Sequence, residues 1–574
     1  MNLDDILEDV GSFGTFQIVI VVLLVSPQIV LPCHFLLNNF IAAVPPHRCD
    51  ISQLDHGALW RNLSEAQRVA VSVPLNDDGE PQACRMFATP QFQMLENISD
   101  ANKLPTTACQ HGWTYLNHTF SFSLATEWDL VCDWKHLPKM TSTIFFMGVM
   151  MGAVVFGVLS DNYGRKRCLL ASYIIAMTFG FCSAFAKSYV MFAALRFLSG
   201  VGLTGISIVS FTLNMEWVDA AHRSLVCVLA SLMWSLGNML LGASAYLVQD
   251  WRALVMTVTS PLILATLTWW WVPESSRWLL ANGRVEEAEL YLDKCAAMNG
   301  RGKFSSKLKL QVKSSKDQKY TYLHLVKTPK LRRLTLVMGL VWYGVAVTYY
   351  GISLNIVGFG VNIYLTHFIF AAIEVPAKLL IYVLINKIGR RKCLSGTLIL
   401  TGSCIAINII LPKDLWHLRS AVAIIGKGLS EASFTTIYLY TTELYPTVLR
   451  QNGLGFTSFT SRVGVSVAPL ILLMEEAWLL LPQVVLGVGA IVFGLVAMLL
   501  PETLGARLPE TIDDVEKRGS PAPTEPSEDD KVPCPQVVTW ASSTTFQGET
   551  DGHMTHLCGV CSDGVEDADN CCHS

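Results

Sequence analysis

Runs of about twenty apolar residues recur from residue 17 to residue 500, most of them separated by short polar turns. A helix needs about twenty such residues to cross a hydrocarbon core of roughly 30 Å. The chain is therefore expected to cross a bilayer many times. Composition agrees, with 15% charged residues and a mean hydropathy of +0.40. The formal net charge of −4 says little, because charge acts loop by loop in such a protein. Asp4, Asp5, Glu8 and Asp9 stand where a signal peptide would carry cations, and the first apolar run is too long for one, so no cleaved signal is expected.

Twelve spans are expected. The first is 17–44, and a polar loop fills 45–138. Spans 139–159, 168–187, 189–211, 225–248 and 253–272 complete an N-terminal half, 17–272. A basic segment, 273–332, precedes spans 333–353, 362–385, 393–411, 419–441, 453–474 and 482–500, which make a C-terminal half, 333–500. An even count puts the N-terminal stretch 1–16 and the tail 501–574 on one side. Cations in the short loops make that side the cytoplasm. No Lys or Arg precedes the first span, so the later loops must set the orientation. The basic segment reads as a topology anchor, not as a nucleic-acid site. From about residue 517 the tail is rich in Pro, Ser, Thr, Asp and Glu and reads as disordered. Its Cys558, Cys561, Cys571 and Cys572 lack the spacing of a complete zinc site, and no metal is assigned.

The loop 45–138 is expected outside the cell. The chain's three N-glycosylation triplets, at Asn62, Asn97 and Asn117, all fall in it. So do Cys49, Cys84, Cys109 and Cys132, an even set that suggests two disulfides of open connectivity.

A second pattern divides the chain in two. Gly157 to Arg167 reads G-V-L-S-D-N-Y-G-R-K-R, with Gly157, Asp161, Gly164, Arg165 and Arg167 as its marks. Gly389 and Arg390 repeat its end 225 residues later (389 − 164). Glu216 and Arg223 recur as Glu443 and Arg450, 227 residues on (443 − 216), and Pro273-Glu274 as Pro501-Glu502, 228 on (501 − 273). The common register implies two homologous six-helix halves. Halves related by an axis along the membrane normal hold their site between them at mid-membrane. Only the first loop has an acid, Asp161, where the second has Asn386, so Asp161 is expected to pair with an arginine of its half or cap a helix as a cytoplasmic latch.

The first loop resembles the signature of the major facilitator superfamily. The long first loop, Pro273-Glu-Ser-Ser-Arg-Trp-Leu279, Glu443-Leu-Tyr-Pro-Thr447 and Leu508-Pro-Glu-Thr511 resemble solute carrier family 22. Val44-Pro-Pro-His-Arg-Cys49, Tyr349-Tyr350-Gly351, Val375-Pro-Ala-Lys378 and Tyr445-Pro-Thr-Val-Leu-Arg-Gln451 resemble its organic anion branch. The fold class so implied is all-α and polytopic, a major facilitator fold with twelve transmembrane helices in two halves.

Charges deep in spans are costly and mark candidate sites. Glu374 and Lys378 are four residues apart, as are Lys427 and Glu431, so each pair could neutralise itself on one helix face. Lys378 and Lys427 are substrate candidates against that bland alternative at even weight, and Arg196 reads as a brace. Arg462 has no acid within a turn, and it needs a partner from another helix or from a ligand. The resemblance implies the same, since the anion transporters carry an arginine here and the cation transporters an aspartate. Tyr349, Tyr350, Phe434, Tyr438, His34 and Asn38 could line the cavity, with ordinary packing at least as good a reading of each.

The expected function is sodium-independent carriage of small organic anions across the plasma membrane by alternating access, with a counter-anion in exchange as one driving force. Carboxylates and cyclic nucleotides are the substrates that the resemblance implies, and a basolateral location in epithelium. The expected partners are these anions and the lipid bilayer, without nucleic acid and without a cofactor. A carrier of organic cations or zwitterions, or a non-transporting receptor on the same scaffold, is the alternative. The sequence shows no nucleophile–base set or phosphate loop of an enzyme.

Overall fold

The computed structural model describes residues 10–52, 60, 62–76, 79–95, 104–116, 122–219, 222–301, 322–355, 362–446, 449–505, 509 and 511–517. Spans 1 to 6 are Thr15–Ile41, Leu137–Tyr163, Arg165–Ala184, Tyr189–Trp217, Arg223–Leu247 and Trp251–Trp271. Spans 7 to 12 are Pro329–Leu354, Ile363–Ile388, Arg390–Ile410, Trp416–Leu444, Arg450–Leu473 and Leu481–Ala497. Among the described residues, ten helices are long and apolar enough to cross a bilayer. The other two are span 10, which carries Lys427 and Glu431, and span 12, with 17 residues. Spans 4 and 10 each run several residues beyond their expected ends, because amphipathic turns prolong the helix past the apolar run.

Small residues let the helices of a half approach closely. A Cβ on Gly148 of span 2 would lie 2.1 Å from the carbonyl oxygen of Phe197 in span 4. The two halves meet along two seams, span 2 against span 11 and span 5 against span 8. Span 8 is interrupted between Ala372 and Glu374. Pro376 has no N–H for the helix ladder and its ring crowds the carbonyl one turn back, which breaks the rod there. Glu374 consequently sits in the first turn of the second segment, where the helix dipole favours a carboxylate.

The loop between spans 1 and 2 is a small folded unit. Strand β1 (His47–Cys49) pairs antiparallel with β4 (Trp113–Tyr115), and β2 (Arg85–Phe87) pairs with β3 (Thr106–Ala108). Disulfides join Cys49 to Cys109 and Cys84 to Cys132, which resolves the connectivity left open by the sequence. Ile51, Trp60, Val69, Val71 and Val73 form its core. His47 lies near Cys84 and Cys132, but those sulfurs are bonded to each other and offer no thiolate to a metal. Asn62 is exposed; Asn97, Asn117, most of the basic segment and the tail beyond residue 517 lie outside the described residues.

At the opposite end, a helix forms at Val285–Met298, with Ala288, Leu292 and Cys295 buried. Asn299, just beyond it, accepts the Phe16 N–H and so ties the segment to the start of span 1.

Candidate functional site

The signature loops are built alike in both halves. Gly164 and Gly389 have φ of +95° and +101°, a backbone that L side chains resist, and each makes the sharp joint between two spans. Glu274 accepts the backbone N–H groups of Arg165 (2.8 Å) and Lys166 (3.1 Å), closing the N-terminus of span 3. Glu502 does the same for Arg390 (2.8 Å) and Arg391 (3.2 Å) at span 9. Burial alone would raise the Glu502 carboxyl, but these N–H groups and those of Thr503 and Leu504 hold it below its ordinary value. Arg165 pairs with Glu216 at 3.2 Å, and Arg390 with Glu443 at 3.0 Å. The three repeats that gave the register therefore converge into one charged node per half.

Of the two expectations for Asp161, the pairing with an arginine of its own half forms, to Arg165 at 3.0 Å, whereas the capping carboxylate is Glu274; the Asp161 side chain is 72% exposed. Asp161 contributes its backbone carbonyl as well, which accepts Trp278 Nε1–H at 2.7 Å. Arg167 is exposed, and Gly157 faces open space. Arg223 donates through Nε to the Val218 carbonyl. Arg450 begins span 11.

At mid-membrane the four charges of spans 8 and 10 are cross-linked between helices. Lys427 pairs with Glu374 at 3.1 Å and Lys378 with Glu431 at 3.2 Å; Lys378 and Glu374 are 3.8 Å apart. The expected pairing within a helix thus persists in span 8 at 3.8 Å, while the shorter pairs run between the two helices, because both side-chain rows face one interface. Tyr349 donates to Glu374 (2.7 Å) and receives the Trp234 indole N–H (3.2 Å), while Lys427 Nζ stands 3.4 Å above its ring centre. Ser353 accepts from Lys427 at 2.6 Å. From the other half, Ser235 donates to Glu374 (2.9 Å) and accepts from Lys378 (2.7 Å), and the Ser231 carbonyl accepts from Lys378. Both candidate lysines and Tyr349 are committed to this network. The sequence reading passed over Ser235, which carries no charge to draw attention.

Two deep arginines have no carboxylate partner among the described residues. Arg196 is fully buried over the Phe145 ring, and it donates to the His34 carbonyl (2.9 Å) and to His34 Nδ1 (3.0 Å). His34 is thereby turned into the N-terminal half, with Nε2 toward Thr259 Oγ1, instead of lining a cavity. Asn38 is likewise engaged, donating to Ser142 at 2.7 Å.

Arg462 stands 12 residues into span 11 (462 − 450), about 18 Å along a helix axis and hence near mid-bilayer. It donates from one terminal nitrogen to Ser458 Oγ and carbonyl, and its Nε has no partner among the described residues. Tyr350 and Tyr438 are its electrostatic neighbours. Tyr438 is 53% exposed, although it packs on Trp342 and Phe434 and neighbours Arg462 of span 11 and Cys227 of span 5. Its exposed surface lies between residues of opposite halves, near the ends of spans 5 and 10 on the signature-loop side. Aromatic rings continue inward from it: Phe434 meets Tyr349 (5.2 Å), Tyr349 meets Tyr350 (5.1 Å), and Tyr350 meets Phe146 of span 2 (5.4 Å). The disulfide-loop end is closed by ion pairs between the halves, Lys139–Glu475 (2.5 Å) and Lys135–Glu476 (3.9 Å). Phe35, Phe146 and Trp234 join this wall and were not singled out in the sequence, where single aromatics in apolar runs carry no signal.

Comparison with known proteins gives this architecture its relatives. The family model described as sugar (and other) transporter matches residues 107–514, more than half of the chain. Solute carrier family 22 member 7 of Bos taurus is 42% identical over 552 residues, covering 94% of this chain and 100% of that one. The Homo sapiens member 7 is 42% identical over 557 residues with the same coverage, and member 6 of Danio rerio is 39% identical over 535, covering 90% and 95%. Among solved structures, the inward-open xylose transporter XylE from E. coli superposes with a TM-score of 0.56 at 15% identity, covering 87% of this chain and 99% of that one. That likeness speaks for the fold alone; the identities over nearly full length speak for descent. These homologues are multi-pass membrane transporters and not enzymes. The chain belongs to solute carrier family 22, on its organic anion transporter branch, within the major facilitator superfamily.

Proposed function

We propose that this transporter carries small organic anions across the plasma membrane by alternating access, with Arg462 as the cationic anchor of the site. The observation that carries this reading is the state of Arg462. It is always ionised, lies near mid-bilayer and has only Ser458 as a hydrogen-bond partner among the described residues, whereas the lysines of spans 8 and 10 are already neutralised. A guanidinium so short of partners gains more from a carboxylate or phosphate than from another neutral group. The aromatic rings from Phe434 to Phe146 offer flat apolar faces to the organic part of such an anion.

In this reading the disulfide loop lies outside the cell and the signature loops inside, so the structure is an inward-facing state sealed outside by Lys139–Glu475. Carboxylates and cyclic nucleotides are the proposed substrates, carried without sodium and in exchange for a counter-anion. The test is uptake of a panel of radiolabelled anions and cations, with and without sodium, by cells bearing the wild type or Arg462→Asp. Loss of anion uptake at normal surface expression supports the reading. Unchanged anion uptake by the variant contradicts it.

A further inference from the structure

Because the halves repeat, each contact across one seam has a counterpart across the other. The register of Gly164 and Gly389 (389 − 164 = 225) matches Glu374 and Lys378 of span 8 with Val149 and Ala153 of span 2. The register of Glu216 and Glu443 (443 − 216 = 227) matches Lys427 and Glu431 of span 10 with Gly200 and Thr204 of span 4, and Arg462 of span 11 with Ser235 of span 5. Burial follows the same register. Glu374, Ile381 and Ile385 are buried, as are Val149, Phe156 and Ser160, while Ala153 is half-buried. Packing follows it too: a Cβ on Gly200 would stand 3.2 Å from the Val149 nitrogen, where the other half has the Lys427–Glu374 pair.

The two seams are thus electrically different. Across the seam of spans 5 and 8, the neutral Ser235 meets Glu374 and Lys378, members of a set of two lysines and two glutamates whose charges cancel. Across the seam of spans 2 and 11, the cation Arg462 corresponds to Ser235, and the four matching positions are Val149, Ala153, Gly200 and Thr204, none of them charged. That seam lacks one negative charge. It also lacks side-chain volume at Ala153, where the other half has a lysine. Tyr350, a neighbour of Arg462, rests on Phe146 one turn before Val149, which places the arginine's surroundings on this face of span 2.

We propose that the anionic group of the substrate completes the seam of spans 2 and 11, lodged between Arg462 and Ala153 as Lys378 Nζ and Ser235 Oγ meet at 2.7 Å across the other. The proposal rests on the reading of Arg462 as the anion's anchor and adds Ala153 as a specificity-determining position. An acid placed there is a tethered competitor for the substrate; a neutral side chain of the same size is not.

The experiment measures uptake of radiolabelled salicylate, an aromatic carboxylate, by cells bearing the full chain with Ala153→Glu, Ala153→Gln or Arg462→Gln, normalised to surface protein. Ala153→Glu is expected to lower uptake at least about tenfold, chiefly through KM, and Ala153→Gln, which fills the same space without the charge, is expected to lower it at least about threefold less than Ala153→Glu does. Equal losses in the two Ala153 variants would mean that the position only packs, and would overturn the proposal. Wild-type uptake by Ala153→Glu together with loss in Arg462→Gln overturns the location but leaves Arg462 as anchor. Full uptake by Arg462→Gln refutes the anchor itself. Should the longer side chains impair surface delivery, Ala153→Cys supplies a small replacement. Salicylate is expected to slow its modification by a negatively charged thiosulfonate at least about threefold relative to the parent chain, and no protection overturns the proposal.

Discussion

Across the seam of spans 5 and 8, Glu374, Lys378, Lys427 and Glu431 are buried and paired, and Ser235 and Tyr349 satisfy their remaining bonds. Across the seam of spans 2 and 11, Arg462 is partly open and, among the described residues, bonded only to a serine of its own helix. One fold unit, used twice, has put its charges to two uses. A closed network with no net charge gives a ligand little to compete for, but it fixes the geometry of the helices that hold it. An unbalanced cation does little for the fold and much for an anion. The lysines of span 8 and span 10 therefore belong to the first use and Arg462 to the second.

The largest effect expected from breaking this contrast is on folding. Glu374→Gln leaves Lys427 and Lys378 buried and short of a counter-charge, at a cost of about 3–5 kcal/mol. Thermal unfolding of the purified protein and its surface yield are both expected to fall sharply. Arg462→Gln, which removes a poorly satisfied cation, is expected to keep a wild-type unfolding temperature. A stable Glu374→Gln protein would mean that the network is not structural.

Next in size is the effect at the signature nodes, where the halves are alike. Arg165→Ala and Arg390→Ala each strip a glutamate of its partner, Glu216 or Glu443, and are expected to reduce transport to a similar extent. Asp161→Asn removes only an exposed pair worth about 0–1 kcal/mol and is expected to do far less than either. A loss with Asp161→Asn as large as with Arg165→Ala would restore the latch that the sequence suggested.

Much of this was legible in the residues. The apolar runs announced the helices, and three repeated motifs announced the halves, because those motifs must be kept to close each signature node. Geometry between helices was less legible. Glu374 and Lys378 keep an internal pair at 3.8 Å, yet the approach of span 10 gives each a closer cross-helix partner that the sequence could not show. His34 looked like a polar residue facing a cavity, and only the fold shows Arg196 beneath it. Serine is common in apolar helices, so Ser235 could not be distinguished until its two charged partners were visible.

The smallest effect concerns the exposed ion pairs that close the disulfide-loop end. Lys139→Glu is expected to weaken the inward-facing state by about 1 kcal/mol or less, since both partners are near half exposure. The swap Lys139→Glu with Glu475→Lys is expected to recover the wild-type balance, read as accessibility of a cysteine introduced at Tyr438. Failure of the swap to recover it would mean that the pair does not set the balance.

The central claim is that Arg462 binds the anion and the paired lysines do not. Equilibrium binding of radiolabelled salicylate to purified wild-type, Arg462→Gln and Lys378→Met/Glu431→Met protein tests it without the complication of turnover. A charge-assisted bond of about 1.5–3 kcal/mol corresponds to a loss of roughly ten- to a hundredfold in affinity for Arg462→Gln. The double variant removes one cation and one anion together and is expected to bind within about threefold of wild type. Equal affinity in Arg462→Gln, or a larger loss in the double variant, would contradict the account.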